Sequence, residues 1–241
     1  LPGRQQEILE LAVNSGKPVV LILLSGSALA VNWAEKHVPA IIQGWYPGAE
    51  GGRILAETLF GDINPEGHLP VTFYKGTEEL PAFTDYAMEG RTYRYMKQDA
   101  LYPFGYGLSY TTYAYSNLTV RGEQVGEDGT DITVTVKNTG KRTGTETVQV
   151  YIKIEKEDTP NAQLKAIRKV TLRPGEEKEV NIHLAKDAFG LCDKEGNFRT
   201  CKGEAKVYVG GQAPDRRSEE LTGVKVQSVT LRTEDELLWE N

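Results

Sequence analysis

The stretch GWYPGAEGGRILAETLF, Gly44 to Phe60, sets an indole, a phenol, a proline and a carboxylate beside four glycines, between an apolar run and an amphipathic one. Glycines ahead of a helix can let backbone N–H groups cradle a phosphate. Neither G-x-G-x-x-G nor G-x-x-x-x-G-K-[ST] is present, however, so a nucleotide lacks its fingerprint. Trp45 and Tyr46 suit the apolar face of a sugar ring or a neighbouring domain. A purely structural reading serves the same residues: Pro47 and Gly48 turn the chain, Gly51 and Gly52 let a helix pack closely, and Glu50 favours its positive end. On the residues alone the structural reading weighs slightly more.

Other chemistry is thinner. Ser25 and Ser27 in LSGSA lack the G-x-S-x-G order of a nucleophile elbow and an evident histidine partner, so both read as loop serines. His37, His68 and His183 are far apart, and His183, alternating with Ile182 and Leu184, is expected to face solvent. No metal site follows. Cys192 and Cys201 flank a hairpin candidate, DKEGNF, but sit asymmetrically about it, so free thiols are expected. Asn117 opens an N-L-T sequon within a candidate strand, with meaning only in a eukaryotic secreted protein.

A net charge of −6 with pI near 5.3, and no Lys/Arg cluster free of acids, argue against a nucleic-acid partner. The longest apolar run, Pro18 to Leu24, is too short to cross a bilayer, and no leader pattern opens the chain. The opening LPGRQQEIL reads as the start of a helix within a longer protein, so the chain is expected to be a fragment and its compartment stays open.

The elements that must position these residues form two groups. A helix with Pro2 at its start and Ile8, Leu11 and Ala12 on one face stops at Gly16. KPVVLILLSG then reads as a strand covered on both faces, followed by a helix capped by Ser27, a strand from Ala40 to Trp45 and a helix from Gly51 to Phe60. This alternation is that of an α/β domain with a parallel sheet. RTYRYM, Arg91 to Met96, reads as a short strand before an extended arm.

From Tyr113 short alternating runs separated by turns predict an immunoglobulin-like or fibronectin type III-like β-sandwich. Its strands are YAYSNLTV, DITVTVKN, ETVQVYIKI, LKAIRKVTL, EVNIHL and EAKVYVGG, and LTGVKVQSV could add an edge strand or cross back to the first domain. In TVQVYIKI, Gln149, Tyr151 and Lys153 are expected on the exposed face. The fold class is therefore α/β followed by all-β. The expected divisions are 1–112 for the α/β part with its arm, 113–232 for the sandwich and 233–241 for an acidic tail that leaves the domain.

The ordered series LPGRQQEIL, PVVLILLSGSALAVNW, AIIQGWYPGAEGGRILAETLFGDINPEGHLPVTF and LYPFGYGLSYTTYAYSNL, ending in a sandwich, resembles glycoside hydrolase family 3 along nearly the whole chain. The match is closest to its three-domain β-glucosidases and β-xylosidases, in which a (β/α) barrel, an α/β sandwich domain and a fibronectin type III-like domain are joined. MEGRTYRYM leans slightly toward the xylosidase type. The resemblance implies retaining hydrolysis of terminal non-reducing β-linked sugars by two carboxylates about 5–5.5 Å apart. It places the nucleophile, an Asp, in the barrel and the acid/base, a Glu, on a loop shortly ahead of Leu1. No catalytic, cofactor or metal residue is then expected here, and neither Glu7 nor Glu50 takes over a role. Ser25, Trp45, Tyr46 and Glu50 are expected to form the cleft wall, with Arg91 to Tyr95 in the interdomain packing. Expected partners are β-linked glycosides and the barrel; oligomeric state is open, and the piece alone should be inactive. The competing class, a noncatalytic carbohydrate-binding or interaction module, lacks an aromatic row on one sandwich face.

Overall fold

The structure, a computed structural model, describes residues 1–193 and 195–239. α1 (Gln5–Asn14), β1 (Val20–Leu23), α2 (Asn32–His37), β2 (Ala40–Gln43) and α3 (Gly51–Phe60) alternate as expected. β1 and β2 pair in parallel from Val20 beside Ala40 to Leu23 beside Gln43, as two apolar runs joined by a helical crossover should. Leu9, Leu23, Val31, Ala34 and Phe73 centre the core beneath them. α3 stops at Gly61, whose φ of 79° gives the left-handed cap that glycine adopts without strain.

The arm carries α4 (Thr92–Tyr95) and leads into β3 (Tyr113–Val120), β4 (Thr130–Asn138), β5 (Gly144–Ile154), β6 (Gln163–Leu172) and β7 (Glu177–Leu184). β8 (Leu191–Cys192), β9 (Phe198–Thr200), β10 (Gly203–Gly210), α5 (Arg216–Thr222), β11 (Gln227–Thr233) and β12 (Glu236–Trp239) follow. The sheets β11-β10-β5-β6 and β3-β4-β7 are antiparallel. Alternate side chains such as Val134, Val150, Ile182, Val207 and Leu231 fill the space between them. A third sheet orders β12-β9-β8.

The structure departs from the sequence reading at identifiable places. In α1 the buried face is that of Leu9, while Ile8 and Leu11 are exposed. β1 is only partly covered, from exposed Val20 to buried Leu23. Ser27 caps nothing: Ala28, Leu29 and Val31 pack into the core in a non-helical stretch, and α2 begins behind Val31 without a side-chain cap. β2 ends at Gln43 because Trp45 takes a φ of 52°, outside the strand region.

RTYRYM is a helical turn, not a strand. Tyr74 Oη accepts from the Thr92 N–H at 2.7 Å and Thr72 Oγ1 from the Tyr93 N–H at 3.0 Å, so side chains satisfy amides that a strand would pair with backbone. Nor is β5 half exposed. Tyr151 and Gln149 are as buried as Val150, because the face expected in water lies against the arm.

The acidic tail does not leave the domain. β12 pairs with β9, Lys186 bonds Glu236, and Thr200 Oγ1 donates to Glu234 O at 2.7 Å; positions 240 and 241 of that tail lie outside the described residues. Cys192 pairs across its hairpin with Phe198 and both cysteines are free; Lys194 of DKEGNF lies outside the described residues. His183 is exposed, as expected, with Nδ1 2.8 Å from Asp131 Oδ1.

Candidate functional site

The carboxyl ends of β1 and β2 lie side by side, and the Gly44 N–H donates to Leu23 O at 2.8 Å. The segments after them, Ser25–Ser27 and Trp45–Glu50, therefore leave from one sheet edge, where open α/β folds place ligands. Tyr46 lies over Gly26, and a Cβ at Gly26 would come within 2.6 Å of the Tyr46 ring. A side chain at Gly26 would push the phenol aside, and the ring is 79% exposed. Trp45 turns the other way. Its indole packs against the α/β core with its edge toward Phe73, 6.2 Å between centroids.

Ser25 Oγ donates to Ser27 O at 2.9 Å and accepts from Gln43 Nε2 at 3.2 Å. That hydroxyl fastens the first loop to β2 and has no histidine beside it, since His37 stacks on Trp33 and contacts Trp33 O. Glu50 caps nothing at the start of α3; it is ion-paired with Arg53 at 2.7 Å, and Arg53 also holds Glu57. The bonds to the two carboxylates raise the pKa of Arg53. Gly51 has its Cα against Pro47, whereas Gly52 faces open space and does not serve close packing. The structure thus brings Ser25 and Tyr46 to one rim, sets Trp45 behind them and turns Glu50 along α3. Such a rim can stack and hydrogen-bond a neutral ring. It holds no acid–base pair.

Two cavities lie elsewhere, at the junction of the two halves. One of about 210 Å³ is lined by His68, Tyr113, Tyr115, Glu146 and Gly211. Glu146, 7% exposed, accepts from Tyr115 Oη at 2.5 Å, and burial raises its pKa; burial lowers that of His68. Nothing in the sequence marked Glu146, which sits in a strand read as half exposed. The other, about 300 Å³, is lined by Tyr93, Lys153, Asn161 and Asp215. Lys153 Nζ donates to Thr159 Oγ1 and Pro160 O there, and burial lowers its pKa. Neither cavity includes Ser25, Trp45, Tyr46 or Glu50 in its lining. Among the described residues no group of three His, Cys, Asp or Glu could hold a metal, and no helix is long and apolar enough to cross a membrane.

Arg91 to Tyr95 stand where the halves meet. Tyr93 stacks on Phe104 at 4.1 Å and meets Tyr151 edge-on, and Asn161 Nδ2 donates to Tyr93 O at 3.0 Å.

Residues 1–110 match the glycosyl hydrolase family 3 C-terminal domain, and residues 146–213 match a fibronectin type III-like domain. The chain is 40% identical to a xylan 1,4-beta-xylosidase of Xylanibacter ruminicola over 92% of its own length and 26% of that protein's. It is 34% identical to a periplasmic beta-glucosidase of Salmonella typhimurium, over 87% of this chain and 29% of that one. The structure superimposes on beta-glucosidase 3B from Thermotoga neapolitana in complex with alpha-D-glucose with a TM-score of 0.86 and 30% identity, covering 99% of this chain and 35% of that one. The chain thus spans between about a quarter and a third of the proteins it resembles. With a parallel α/β unit followed by an antiparallel sandwich, in the order the two domain matches require, it belongs to glycoside hydrolase family 3.

Proposed function

We propose that this chain is the carboxy-terminal part of a retaining β-glycosidase, a β-xylosidase or β-glucosidase, that removes terminal non-reducing β-linked sugars. The nucleophile Asp and the acid/base Glu lie outside these residues, in a barrel domain and on a loop that joins this α/β unit. The rim of Ser25 and Tyr46, braced by Trp45, forms one wall of the cleft, and the functional division falls near Tyr113, with 1–112 bearing that wall and 113–232 supporting it. The observation that carries this reading is the likeness, through both halves of the chain, to enzymes named for β-glycoside hydrolysis. The absence of an acid–base pair at the rim agrees with it, because retention needs two carboxylates about 5–5.5 Å apart, and Glu50 is engaged by Arg53.

The test compares the full-length enzyme and this chain alone on nitrophenyl β-xyloside and β-glucoside. Turnover of at least one by the enzyme, and of neither by the chain, is expected. Turnover by the isolated chain would overturn the assignment of the acids.

A further inference from the structure

The loop from Lys75 to Arg91 has a built shape and two aromatic rings, Phe83 and Tyr86, that stack on no other ring among the described residues. Arg91 lies inside it: Nε donates to Ala87 O at 3.0 Å, and Nη2 donates to Asp85 O at 2.6 Å and Ala82 O at 3.3 Å. Asp85 Oδ1 accepts from the Ala87 N–H at 2.9 Å, closing a tight turn. Around this clamp Phe83 is 95% and Tyr86 90% exposed, with Leu80 and Met88 half exposed beside them. Four hydrogen bonds of this kind hold a loop in one form, and here the form turns two large rings outward instead of into a core.

The base of the loop is fastened beside the rim. Asn32 Nδ2 donates to Lys75 O at 2.6 Å, at the start of α2, and Phe73, two residues before Lys75, is the ring against Trp45. The far end is held by the Tyr74 and Thr72 bonds to α4. The loop carries Glu78, Glu79, Asp85 and Glu89 against two cations, Lys75 and Arg91, and Arg91 is spent on carbonyl oxygens, so a phosphorylated or otherwise anionic partner is disfavoured. A neutral ring with apolar C–H faces and hydroxyl edges fits: aromatic faces take the former and carboxylates the latter.

Resting on the glycosidase reading above, we propose that Phe83 and Tyr86 form a stacking platform for the sugar units of a β-linked oligosaccharide beyond the residue being released, so that this loop sets preference for substrate length. The two rings are specificity residues; they take no part in bond cleavage.

The test uses the full-length enzyme with Phe83→Ala, Tyr86→Ala and the ring-conserving Tyr86→Phe. Substrates are the nitrophenyl monosaccharide and β-1,4-linked xylo- and cello-oligosaccharides of two to five units. Each alanine variant is expected to raise KM for the longer oligosaccharides about three- to tenfold, the size of one aromatic contact. Tyr86→Phe should stay near wild type, the nitrophenyl constants should move less than those of the longest oligosaccharides, and kcat values should not move. Equal losses on both substrate kinds, no loss on either, or a lowered melting temperature or altered oligomer mass in the alanine variants would overturn the proposal, the last two by placing the rings against protein. Saturation-transfer NMR with the same oligosaccharides separates this idea from its foundation. Transfer that weakens in the alanine variants supports the platform even if the enzyme turns over no glycoside, and absence of transfer to wild type overturns it.

Discussion

Arg217 on α5 reaches across the junction to Glu35 on α2, with Nη2 2.8 Å from Oε1 and both side chains about four-fifths buried. The same guanidinium donates from Nε to Leu101 O at 3.3 Å. One side chain of the sandwich half therefore ties both the crossover helix and the arm of the α/β half. Arg217→Met should lower stability by about 1–2 kcal/mol, between the values of exposed and buried pairs. A double-mutant cycle with Glu35→Gln, read by denaturant unfolding, checks it; additive losses would mean the pair contributes nothing of its own.

Tyr151 and Gln149 give a second measure of the junction. Tyr151 Oη donates to Gln149 Oε1 at 2.6 Å, and Gln149 Nε2 donates to Gly105 O and Gly211 O at 2.9 Å each. Tyr151→Phe leaves a buried amide oxygen without its donor and should cost about 1–2 kcal/mol, visible as a lower melting temperature. An unchanged melting temperature would show that the amide finds another partner.

The 210 Å³ cavity makes stability depend on pH from both sides. Glu146 is raised above its ordinary 4.5 by burial, so its contribution is full below 4.5 and is lost as pH rises through the folded-state value. His68 is lowered below 6.5 by burial, so its contribution is full above 6.5 and is lost as pH falls through the folded-state value. Denaturant midpoints from pH 4 to 8 should show Glu146→Gln gaining on wild type as pH rises and His68→Asn gaining as it falls. Parallel curves for wild type and both variants would refute the two assignments.

The rim residues should separate by readout. Trp45→Ala removes a ring packed on Phe73 and should cost about 2–4 kcal/mol of stability. Tyr46→Ala removes an exposed ring and should leave the melting temperature alone while lowering kcat/KM of the full-length enzyme on aryl glycosides. A destabilised Tyr46→Ala with unchanged kinetics would assign the phenol to packing.

Regular elements were legible where pattern and local chemistry agreed. Val148, Val150 and Ile152 declared the sandwich by alternation, and the apolar runs at Val20–Leu23 and Ala40–Gln43 declared the parallel pair. The failures share a cause, namely long-range partners that period counting does not see. RTYRYM looks extended until the Tyr74 and Thr72 oxygens take its amides, and the outer face of β5 looks wet until the arm covers it. α5 has a local signature that alternation counting passes over: Asp215 accepts from the Ser218 N–H at 2.8 Å and Gly223 closes the helix at a φ of 70°, an N-cap and C-cap pair visible in PDRRSEELTG. At the rim, the aromatic types were visible in the sequence, but their opposite directions follow from one backbone angle at Trp45 that residue type alone does not announce.

With Gln149 and Tyr151 as deeply enclosed as Val150 between them, β5 is a common spine for both halves. Any swing of one half against the other must uncover that buried face of the strand. The rim of Ser25 and Tyr46 should keep its angle because a distant strand holds it, and calorimetry should record the chain melting in a single cooperative step rather than two.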